Sequence, residues 1–396
     1  MLTPAPRLQR VYSRDVNQYD TIILGGGMVA GYAAKQAVDD GLKPGTLCIV
    51  SADGALPYER PPLSKSFLAG KDNEQSVLIN NEAFYREHGI EIRLNTPVLR
   101  IDLSGKRLLG QSEQEFPFNK LILATGARVH KLNVPGADRV LYLRSLSDSA
   151  RLRDALKSAK KVAVLGSGFI GMEVASQSAQ LGRDTTMVFR EDRVWKSFFT
   201  PEMSRFFQKY YQDRGVRLVP EADVTEIGKS SLSLSKGTKL DADTLIAGIG
   251  VTPVTDVAES AGIKTDNGIL ANEFLETSAP DVYAAGDVAN YQDVLSGKRR
   301  RLEHWDNAVK QGQYLAKRLR GEKEPFQNVP YFFSDIFDLS YEFWGATAGA
   351  DRTEYRGDVN SPSFGAWWFK GSQVVAAFVM NRPDAERDAA SRLAAP

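Results

Sequence analysis

The chain has 396 residues, of which 42% are hydrophobic and 25% are charged. This length exceeds what one hydrophobic core usually supports, and the composition is that of a folded globular protein, so we expect two or three domains. Because 50 basic residues stand against 49 acidic ones, the charge gives no reason to expect a nucleic-acid or membrane-surface partner. No apolar run approaches the roughly 20 residues that span a bilayer, so membrane insertion is not expected.

The chain contains one cysteine, Cys48, which lies in the apolar run Leu47–Val50. An intramolecular disulfide is therefore impossible, and a redox-active cysteine pair is excluded. A chain without disulfides suits a reducing compartment, so we expect a cytoplasmic protein. Residues 1–18 contain three arginines but no apolar core of a secretory signal, and we interpret them as an N-terminal arm. No metal site is predicted.

The first predicted unit is a strand, a glycine turn, a helix and a second strand. The strand covers residues 21–24, the helix extends to Val38, and the second strand is Leu47–Val50. The turn reads Gly25-x-Gly27-x-x-Ala30, where the first glycine permits the tight turn and the second lets the backbone approach a pyrophosphate. The start of the helix would then present free N–H groups to the phosphates.

The same order returns further along the chain. A strand at residues 162–165 precedes Gly166-x-Gly168-x-x-Gly171, a helix extends to about Leu181, and residues 185–189 form the next strand. One such turn is a weak signal, but two turns with the same flanking elements indicate two bound dinucleotides.

Acidic residues that bind an adenosine ribose are expected near the end of each second strand. Asp53 follows the first of these strands, and Glu191 follows the second. Glu191 favours NADH, while Arg190 and Arg193 would suit the extra phosphate of NADPH. NADH is our interpretation, with NADPH left open.

The remaining elements are predicted from apolar runs and turn residues. Strands are expected at residues 121–126, at 244–250 with an end at Pro253, and at 281–287 with a glycine turn. A helix is expected from about Asn307 to Leu319, followed by a polar linker at 321–330. Strands at 343–344, 366–369 and 374–379 then predict a small antiparallel domain.

Several longer runs resemble one group of enzymes. Residues 277–287 resemble the third flavin fingerprint of the two-dinucleotide-binding flavoprotein reductases, and residues 121–126 resemble their central apolar-Ala-Thr-Gly motif. The run 57–65, PYERPPLSK, is typical of the ferredoxin-reductase-like branch, which lacks the disulfide motif, as this chain does. The most detailed resemblance is to monodehydroascorbate reductases, and it is carried by the runs 25–34, 57–65, 301–304, 330–333 and 337–340.

This resemblance implies an α/β fold with two Rossmann-like dinucleotide-binding domains, one for FAD and one for NAD(P), plus a small C-terminal α+β domain. It implies a discontinuous FAD domain at 19–139 and 266–320, an NAD(P) domain at 140–265 and an interface domain at 321–396. The implied reaction passes a hydride from NAD(P)H to the flavin and then electrons to an acceptor.

The resemblance also implies which residues bind the cofactors. A cation paired with a carboxylate near flavin N5 would stabilise the anionic reduced flavin, which makes Lys65 and Glu173 implied catalytic residues. The resemblance implies His304 as a third, because it follows Glu303 near the nicotinamide. The residues implied for FAD and the flavin surroundings are Gly25, Gly27, Ala30, Asp53, Arg60, Lys65, Ala124, Thr125, Gly126, Arg144, Gly286, Asp287, Glu303, His304, Trp305 and Phe333. Those implied for the nicotinamide nucleotide are Gly166, Gly168, Phe169, Ile170, Gly171, Glu191 and Gly250.

Three positions depart from the monodehydroascorbate reductase pattern. Val309 and Asp335 stand where that family has arginines that hold the organic substrate, and Phe333 stands where it has a tyrosine. Loss of one buried charge-assisted hydrogen bond costs about 1.5–3 kcal/mol. We therefore expect an altered acceptor site and poor reduction of the ascorbate radical.

Four hypotheses for the electron acceptor stay open. One is a small oxidised molecule, such as a quinone, in an aromatic pocket formed by Trp305, Phe333 and Trp344. A second is an iron–sulfur protein, such as ferredoxin or rubredoxin, met by the basic run 298–301. A third is a non-enzymatic, NADH-sensing flavoprotein. The fourth is an oxidase acting on O₂, which Cys48 does not favour because it lies in a strand.

Overall fold

A computed structural model describes residues 18–394 of the chain. Most of the predicted N-terminal arm lies outside the described residues. Within residues 18–394, no helix combines the length and the apolar character needed to cross a bilayer. The α-helices are α1 (Met28–Asp39), α2 (Glu82–Glu87), α3 (Leu146–Ser158), α4 (Phe169–Gln180), α5 (Pro201–Gln212), α6 (Asp256–Ser260), α7 (Trp305–Arg318) and α8 (Asp384–Ser391).

The strands are short and numerous. In the first half of the chain they are β1 (Tyr19–Leu24), β2 (Leu47–Val50), β3 (Glu91–Arg93), β4 (Val98–Asp102), β5 (Arg107–Gly110), β6 (Glu115–Leu123), β7 (Ala127–Val129), β8 (Leu141–Tyr142), β9 (Lys161–Leu165), β10 (Asp184–Val188), β11 (Arg217–Val219) and β12 (Val224–Ile227). In the second half they are β13 (Ser231–Leu234), β14 (Lys239–Asp241), β15 (Thr244–Ala247), β16 (Val251–Pro253), β17 (Ile269–Ala271), β18 (Val282–Ala284), β19 (Ala289–Asp293), β20 (Lys298–Arg300), β21 (Tyr331–Ile336), β22 (Leu339–Gly345), β23 (Arg352–Arg356), β24 (Phe364–Lys370) and β25 (Gln373–Met380).

The chain divides into two compact units. The first contains the described residues up to Glu59, together with Val77–Arg128 and Thr252–Asn328. The second contains Arg60–Ser76, Val129–Val251 and the described residues from Val329 onwards. The three-domain boundaries expected from the sequence stay a prediction. The short segment Arg60–Ser76, expected in the FAD domain, belongs to the second unit.

The first unit is built on a parallel sheet in the order β3-β2-β1-β6-β18. Strand β5 extends it through antiparallel pairing with β6, and β4 pairs antiparallel with β5. All four residues of β2 are buried, as expected for a strand covered on both faces. Helices α1 and α7 pack together. The two helices approach closely because Gly312 of α7 has no side chain. A Cβ added there would lie 2.6 Å from the carbonyl oxygen of Val29.

The second unit contains a parallel sheet in the order β11-β10-β9-β15-β8 and an antiparallel sheet of β12, β13 and β14. The predicted strand at 244–250 is shorter than expected, since β15 ends at Ala247 and a new strand begins at Val251. The break coincides with Gly250, whose φ of +102° is incompatible with a continuous strand.

The C-terminal part of the second unit is a five-stranded antiparallel sheet in the order β21-β22-β25-β24-β23, and α8 packs against β25 and β22. The antiparallel character predicted from the aromatic runs is confirmed. Strand β23 and helix α8 were not predicted. The residues of β23 alternate between half-buried and exposed, so the strand lacks the apolar signal by which edge strands are recognised.

Candidate dinucleotide and redox sites

The first glycine turn lies at the carboxyl end of β1. Gly25 has a φ of +126°, and a Cβ there would overlap the carbonyl oxygen of Ala124, so only glycine fits. Helix α1 follows with Gly27 as its N-cap and no side chain capping its first turn. The first N–H groups of a helix have no partner within the helix. A dinucleotide pyrophosphate therefore fits this turn, as predicted from Gly25, Gly27 and the buried Ala30.

Three strand ends meet at this edge of the first unit. The backbone N–H of Ala124 donates to the carbonyl of Leu24 (2.9 Å), and that of Ala285 donates to the carbonyl of Leu123 (3.0 Å). The ends of β1, β6 and β18 are therefore adjacent. This adjacency brings the predicted FAD residues of all three strand ends to one edge: Gly25, Gly27, Ala124, Thr125, Gly126, Gly286 and Asp287.

The predicted ribose acid Asp53 follows β2 and is half-buried. Its Oδ2 accepts a hydrogen bond from the hydroxyl of Tyr58 (2.9 Å), and its Oδ1 accepts one from the backbone N–H of Ala55 (3.2 Å). These donors fix the carboxylate at the end of its strand. Its contact with the FAD ribose stays a prediction.

The same unit contains a carboxylate with two aromatic hydrogen-bond donors, which the sequence did not predict. Glu59 accepts one hydrogen bond from the indole Nε1 of Trp305 and one from the hydroxyl of Tyr32, each at 2.6 Å. The two rings meet edge-on, with centroids 6.4 Å apart. Burial, and then the hydrogen bond to Glu59, raise the pKa of Tyr32. Trp305 is therefore anchored at the start of α7.

The Glu303–His304 pair directly precedes α7. Glu303 forms an ion pair with Arg301 at 2.5 Å, and His304 is the N-cap residue of the helix. Burial lowers the pKa of His304 to about 4, and nearby Asp287 opposes this shift only in part. The imidazole is therefore neutral near pH 7. If His304 has the predicted catalytic role, it acts as a neutral imidazole and not as a cation.

The second glycine turn lies at the carboxyl end of β9. A Cβ at Gly166 would overlap the carbonyl oxygen of Gly248, and a Cβ at Gly171 would overlap that of Gly166. A Cβ at Gly168, in contrast, would meet nothing within 4 Å. Gly168 is the N-cap of α4, and no side chain caps this helix. The open space in front of a helix start fits the pyrophosphate of a nicotinamide dinucleotide.

The acid that follows β10 lies beside this turn. Glu191 accepts a hydrogen bond from the hydroxyl of Ser167 (3.2 Å), which lies between the first two glycines. The neighbouring arginines have other partners, because Arg190 forms an ion pair with Asp223, and Arg193 lies 3.4 Å from Asp192. The carboxylate thus lies at the turn, while both guanidinium groups are engaged elsewhere.

The predicted pairing of Lys65 with Glu173 is present in the second unit. The Nζ atom of Lys65 lies 2.6 Å from Oε1 of Glu173, and both side chains are largely buried. The same carboxylate accepts hydrogen bonds from the hydroxyls of Ser64 and Ser334, which sequence reasoning missed. The ammonium lies 6.0 Å from the ring centroid of Phe333. A buried cation is therefore held in place by a carboxylate with several donors.

The remaining predicted residues of the second unit are Arg60, Arg144, Phe169, Ile170 and Gly250. The guanidinium of Arg60 donates to the backbone carbonyl of Arg144. Phe169 and Ile170 begin α4, and Ile170 is partly exposed at 37%. A Cβ at Gly250 would lie 3.1 Å from the ring of His130.

Known proteins match both parts of the chain. Residues 19–312 match the family model "Pyridine nucleotide-disulphide oxidoreductase". The chain belongs to this family. Residues 329–395 match a second model, "Monodehydroascorbate reductase 3-like, C-terminal domain". With one cysteine in the chain, the disulphide of the family name has no counterpart in this member.

Similar proteins cover nearly the whole chain. Monodehydroascorbate reductase 3 of Arabidopsis thaliana is 32% identical over 95% of this chain and 92% of its own length. The seedling isozyme of Cucumis sativus is 35% identical over 94% and 93%. The ferredoxin reductase for the CYP199A2 system of Rhodopseudomonas palustris is 34% identical, with a TM-score of 0.90 over 94% of this chain and 93% of its own. A covalent putidaredoxin reductase–putidaredoxin complex is 28% identical, with a TM-score of 0.90 over 94% and 92%.

This oxidoreductase is thus an FAD-dependent enzyme that takes electrons from NAD(P)H and transfers them to an acceptor. The predicted α/β fold with two dinucleotide-binding domains and a C-terminal domain is confirmed. The relatives support an electron acceptor as the partner in general terms. The bound cofactor supplies the redox chemistry, and the protein supplies the two glycine turns and the polar groups around them.

The residues that depart from the monodehydroascorbate reductase pattern have distinct environments in this oxidoreductase. Val309 is 7% exposed and belongs to the hydrophobic core of the first unit, while Asp335 is exposed on β21 of the second unit. Trp344, expected in an aromatic pocket, is instead a buried core residue of the C-terminal sheet. The aromatic-pocket hypothesis therefore loses one of its three residues.

The basic run 298–301 is also less available than a free patch would be. Arg300 forms an ion pair with the buried Asp293 at 3.1 Å, and Arg301 forms one with Glu303. The guanidinium of Arg299 donates to two backbone carbonyls. Three of the four basic groups thus have partners within the first unit, which weakens the idea that this run receives an acidic partner.

Proposed function

We propose that this oxidoreductase uses NADH and passes its electrons to a small iron–sulfur protein. The observation that carries the proposal is the loss of both cationic positions expected for an anionic organic substrate. Val309 lies in a hydrophobic core, and Asp335 places a carboxylate on the surface. A small anion needs charge-assisted hydrogen bonds in its site. A docked protein needs none there, because the electrons pass to a carrier within the partner.

The functions of two structural relatives, as their names give them, support the protein acceptor. One relative is a ferredoxin reductase, and the other was solved in covalent complex with putidaredoxin. Each shares the fold over 94% of this chain with a TM-score of 0.90.

NADH as donor is supported by the environment of Glu191. A carboxylate at this position accepts hydrogen bonds from the ribose hydroxyls of NADH and repels the 2′-phosphate of NADPH. The hydrogen bond from Ser167 holds it beside the glycine turn. Arg190, one of the two arginines that would suit a 2′-phosphate, is paired with Asp223.

The individual site roles are part of the same proposal. We assign the turn at Gly25 and Gly27 to the FAD pyrophosphate, and the turn at Gly166 and Gly168 to that of NADH. Lys65 with its partner Glu173 is assigned to the flavin, where a fixed cation stabilises negative charge. A cytoplasmic location is also proposed, although relatives carry both peroxisomal and cytosolic names.

Reduction of the ascorbate radical is the second candidate function. It is supported by the names of the sequence relatives and by the match of residues 329–395 to the C-terminal domain model. Reduction of the ascorbate radical requires a cation at position 335, whereas reduction of an iron–sulfur protein does not.

The experiment compares acceptors in steady state, with NADH at saturation and FAD content measured. We expect rapid reduction of a [2Fe–2S] ferredoxin and slow reduction of the ascorbate radical by the natural chain. Because Asp335 is exposed, Asp335→Arg is expected to fold, and it should raise ascorbate-radical reduction about tenfold by restoring one charge-assisted bond. Asp358→Arg, at another exposed position of the C-terminal domain, is the matched control. Fast ascorbate-radical reduction by the natural chain would overturn the proposal.

A further inference from the structure

The buried Glu173 needs more partners than Lys65 provides. Only 5% of its surface is exposed, and a buried carboxylate is costly unless donors replace the water that it loses. An ionised carboxylate accepts about four hydrogen bonds. Lys65 supplies the opposite charge at a single oxygen, Oε1. The protein must satisfy the rest of the group from elsewhere.

Two buried serines do so, one at each oxygen of the carboxylate. The hydroxyl of Ser64 donates to Oε2, and that of Ser334 donates to Oε1 at 2.5 Å. Ser64 ends the short 3₁₀ turn Pro61–Ser64, while Ser334 belongs to β21. The exposed fractions of the two serines are 2% and 0%. With both oxygens bonded to fixed donors, rotation of the carboxylate is restricted.

Strand packing alone does not account for Ser334. Its neighbours on the buried face of β21 are Phe332 and Ile336, and its cross-strand partner on β22 is the fully buried Tyr341. A hydroxyl buried among such side chains is unfavourable unless it is hydrogen-bonded. Its bond to Glu173 satisfies it, which links the C-terminal sheet to the carboxylate on α4.

We propose that Ser334 is a positioning residue that acts on the reaction through Glu173 and Lys65. Ser334 and Lys65 bind the same oxygen, so the serine fixes the atom on which the ammonium rests. Without that hydroxyl, the carboxylate turns towards its remaining donors, and the ammonium follows it. This inference rests on the proposed assignment of Lys65 to the flavin, but it does not depend on which acceptor the enzyme uses.

The test is the reduction of the flavin by NADH, followed by anaerobic stopped-flow absorbance in FAD-loaded enzyme. Ser334→Ala should lower the limiting rate about tenfold, the lower range for one charge-assisted hydrogen bond, and leave the Kd of NADH unchanged. Ser334→Thr keeps the hydroxyl and should retain the rate within about threefold, even if the extra methyl group lowers stability. An alanine variant as fast as the natural enzyme, or a threonine variant as slow as alanine, would overturn the proposal.

Two further variants separate positioning from a structural effect. Ser340→Ala, at an exposed serine of the same sheet, is the matched control and should not change the rate. In a Glu173→Gln background, Ser334→Ala should have little additional effect, because its route of action is already altered. A full tenfold loss in that background contradicts the proposal. Lys65→Met tests the underlying assignment separately, since an unchanged rate there rejects the role of Lys65 whatever Ser334 does.

Discussion

Glu191 is the residue on which the preference for NADH over NADPH depends in this account. It is exposed, and its hydrogen bond from Ser167 holds it beside the second glycine turn. Glu191→Ala should raise the Kd of NADH about tenfold, because bonds from the ribose hydroxyls to a charged acceptor are lost. The Kd of NADPH should stay the same or fall, since the repulsion of its phosphate is removed. Titration of tryptophan or flavin fluorescence measures both constants.

Asp213→Ala is the control for this prediction. Asp213 is also exposed and also acidic, but it follows α5 and pairs with Lys209 at 2.9 Å. It should leave the ratio of the two Kd values within about threefold of the natural enzyme. If Asp213→Ala changes the preference and Glu191→Ala does not, the assignment of the ribose acid is wrong.

His304 predicts a pH dependence of stability. Its pKa is about 4 in the folded chain and 6.5 in the absence of the fold, so between these values the unfolded chain binds a proton that the folded chain does not. The free energy of unfolding should therefore fall as the pH drops from about 6.5 towards 4, by about 3 kcal/mol in all. Denaturant unfolding of the natural enzyme and of His304→Asn, with pH 8 as reference, should show a smaller loss for the variant. Equal losses would contradict the burial of a neutral imidazole.

At the residue scale, the sequence predicts what a local motif encodes. The glycines, Asp53 and Glu191 come from motifs with a physical rationale, whereas the Lys65–Glu173 pair was implied by the family resemblance. Glu59 with Trp305, and Ser334 with Glu173, could not be predicted in this way. Their partners are 246 and 161 positions apart in the chain, and an isolated glutamate or serine carries no sign of its partner.

At the scale of the element, the second glycine turn allows binding and folding to be separated. Gly168 has an ordinary negative φ, and a Cβ there meets nothing within 4 Å. Gly168→Ala should therefore fold with nearly unchanged stability, but its methyl group would enter the space assigned to the pyrophosphate. We expect the Kd of NADH to rise at least about tenfold while thermal unfolding stays within a few degrees.

Gly171→Ala, one helical turn further on, is the matched contrast. Its Cβ would overlap the carbonyl oxygen of Gly166, so the substitution should destabilise the fold by about 1–3 kcal/mol. Calorimetry and NADH titration of the two variants give both quantities. If Gly168→Ala binds NADH normally, the open space at this turn does not hold the pyrophosphate.

The elements themselves show where sequence patterns suffice. Strand β2 was predicted with its observed bounds because it is short, apolar and flanked by turn residues. Helix α7 begins two residues before the predicted Asn307, which is the usual error at helix ends. The interruption between β15 and β16 was missed, since the conformation of Gly250 is imposed by its surroundings and not by the apolar run before it.

At the scale of the whole molecule, the repeated strand–turn–helix unit predicted two bound dinucleotides, and the family resemblance identified them as FAD and NAD(P) and implied the fold. The grouping of residues was harder to predict. Arg60–Ser76 follows the first strand–turn–helix–strand unit in the chain, yet it belongs to the second compact unit. One of its contacts there is the hydrogen bond from the hydroxyl of Ser149 in α3 to the carbonyl of Leu63 (2.6 Å). Contacts of this kind arise from folding, not from sequence order.

The acceptor is the central claim at this scale, and stopped-flow reoxidation tests it most directly. Enzyme reduced with one equivalent of NADH under anaerobic conditions is mixed with equal concentrations of a [2Fe–2S] ferredoxin or of enzymatically generated ascorbate radical, and the return of the flavin absorbance is followed. Because both cationic positions of the monodehydroascorbate reductase pattern are absent from the chain, we predict that ferredoxin reoxidises the flavin at least about tenfold faster. Faster reoxidation by the ascorbate radical would contradict the account.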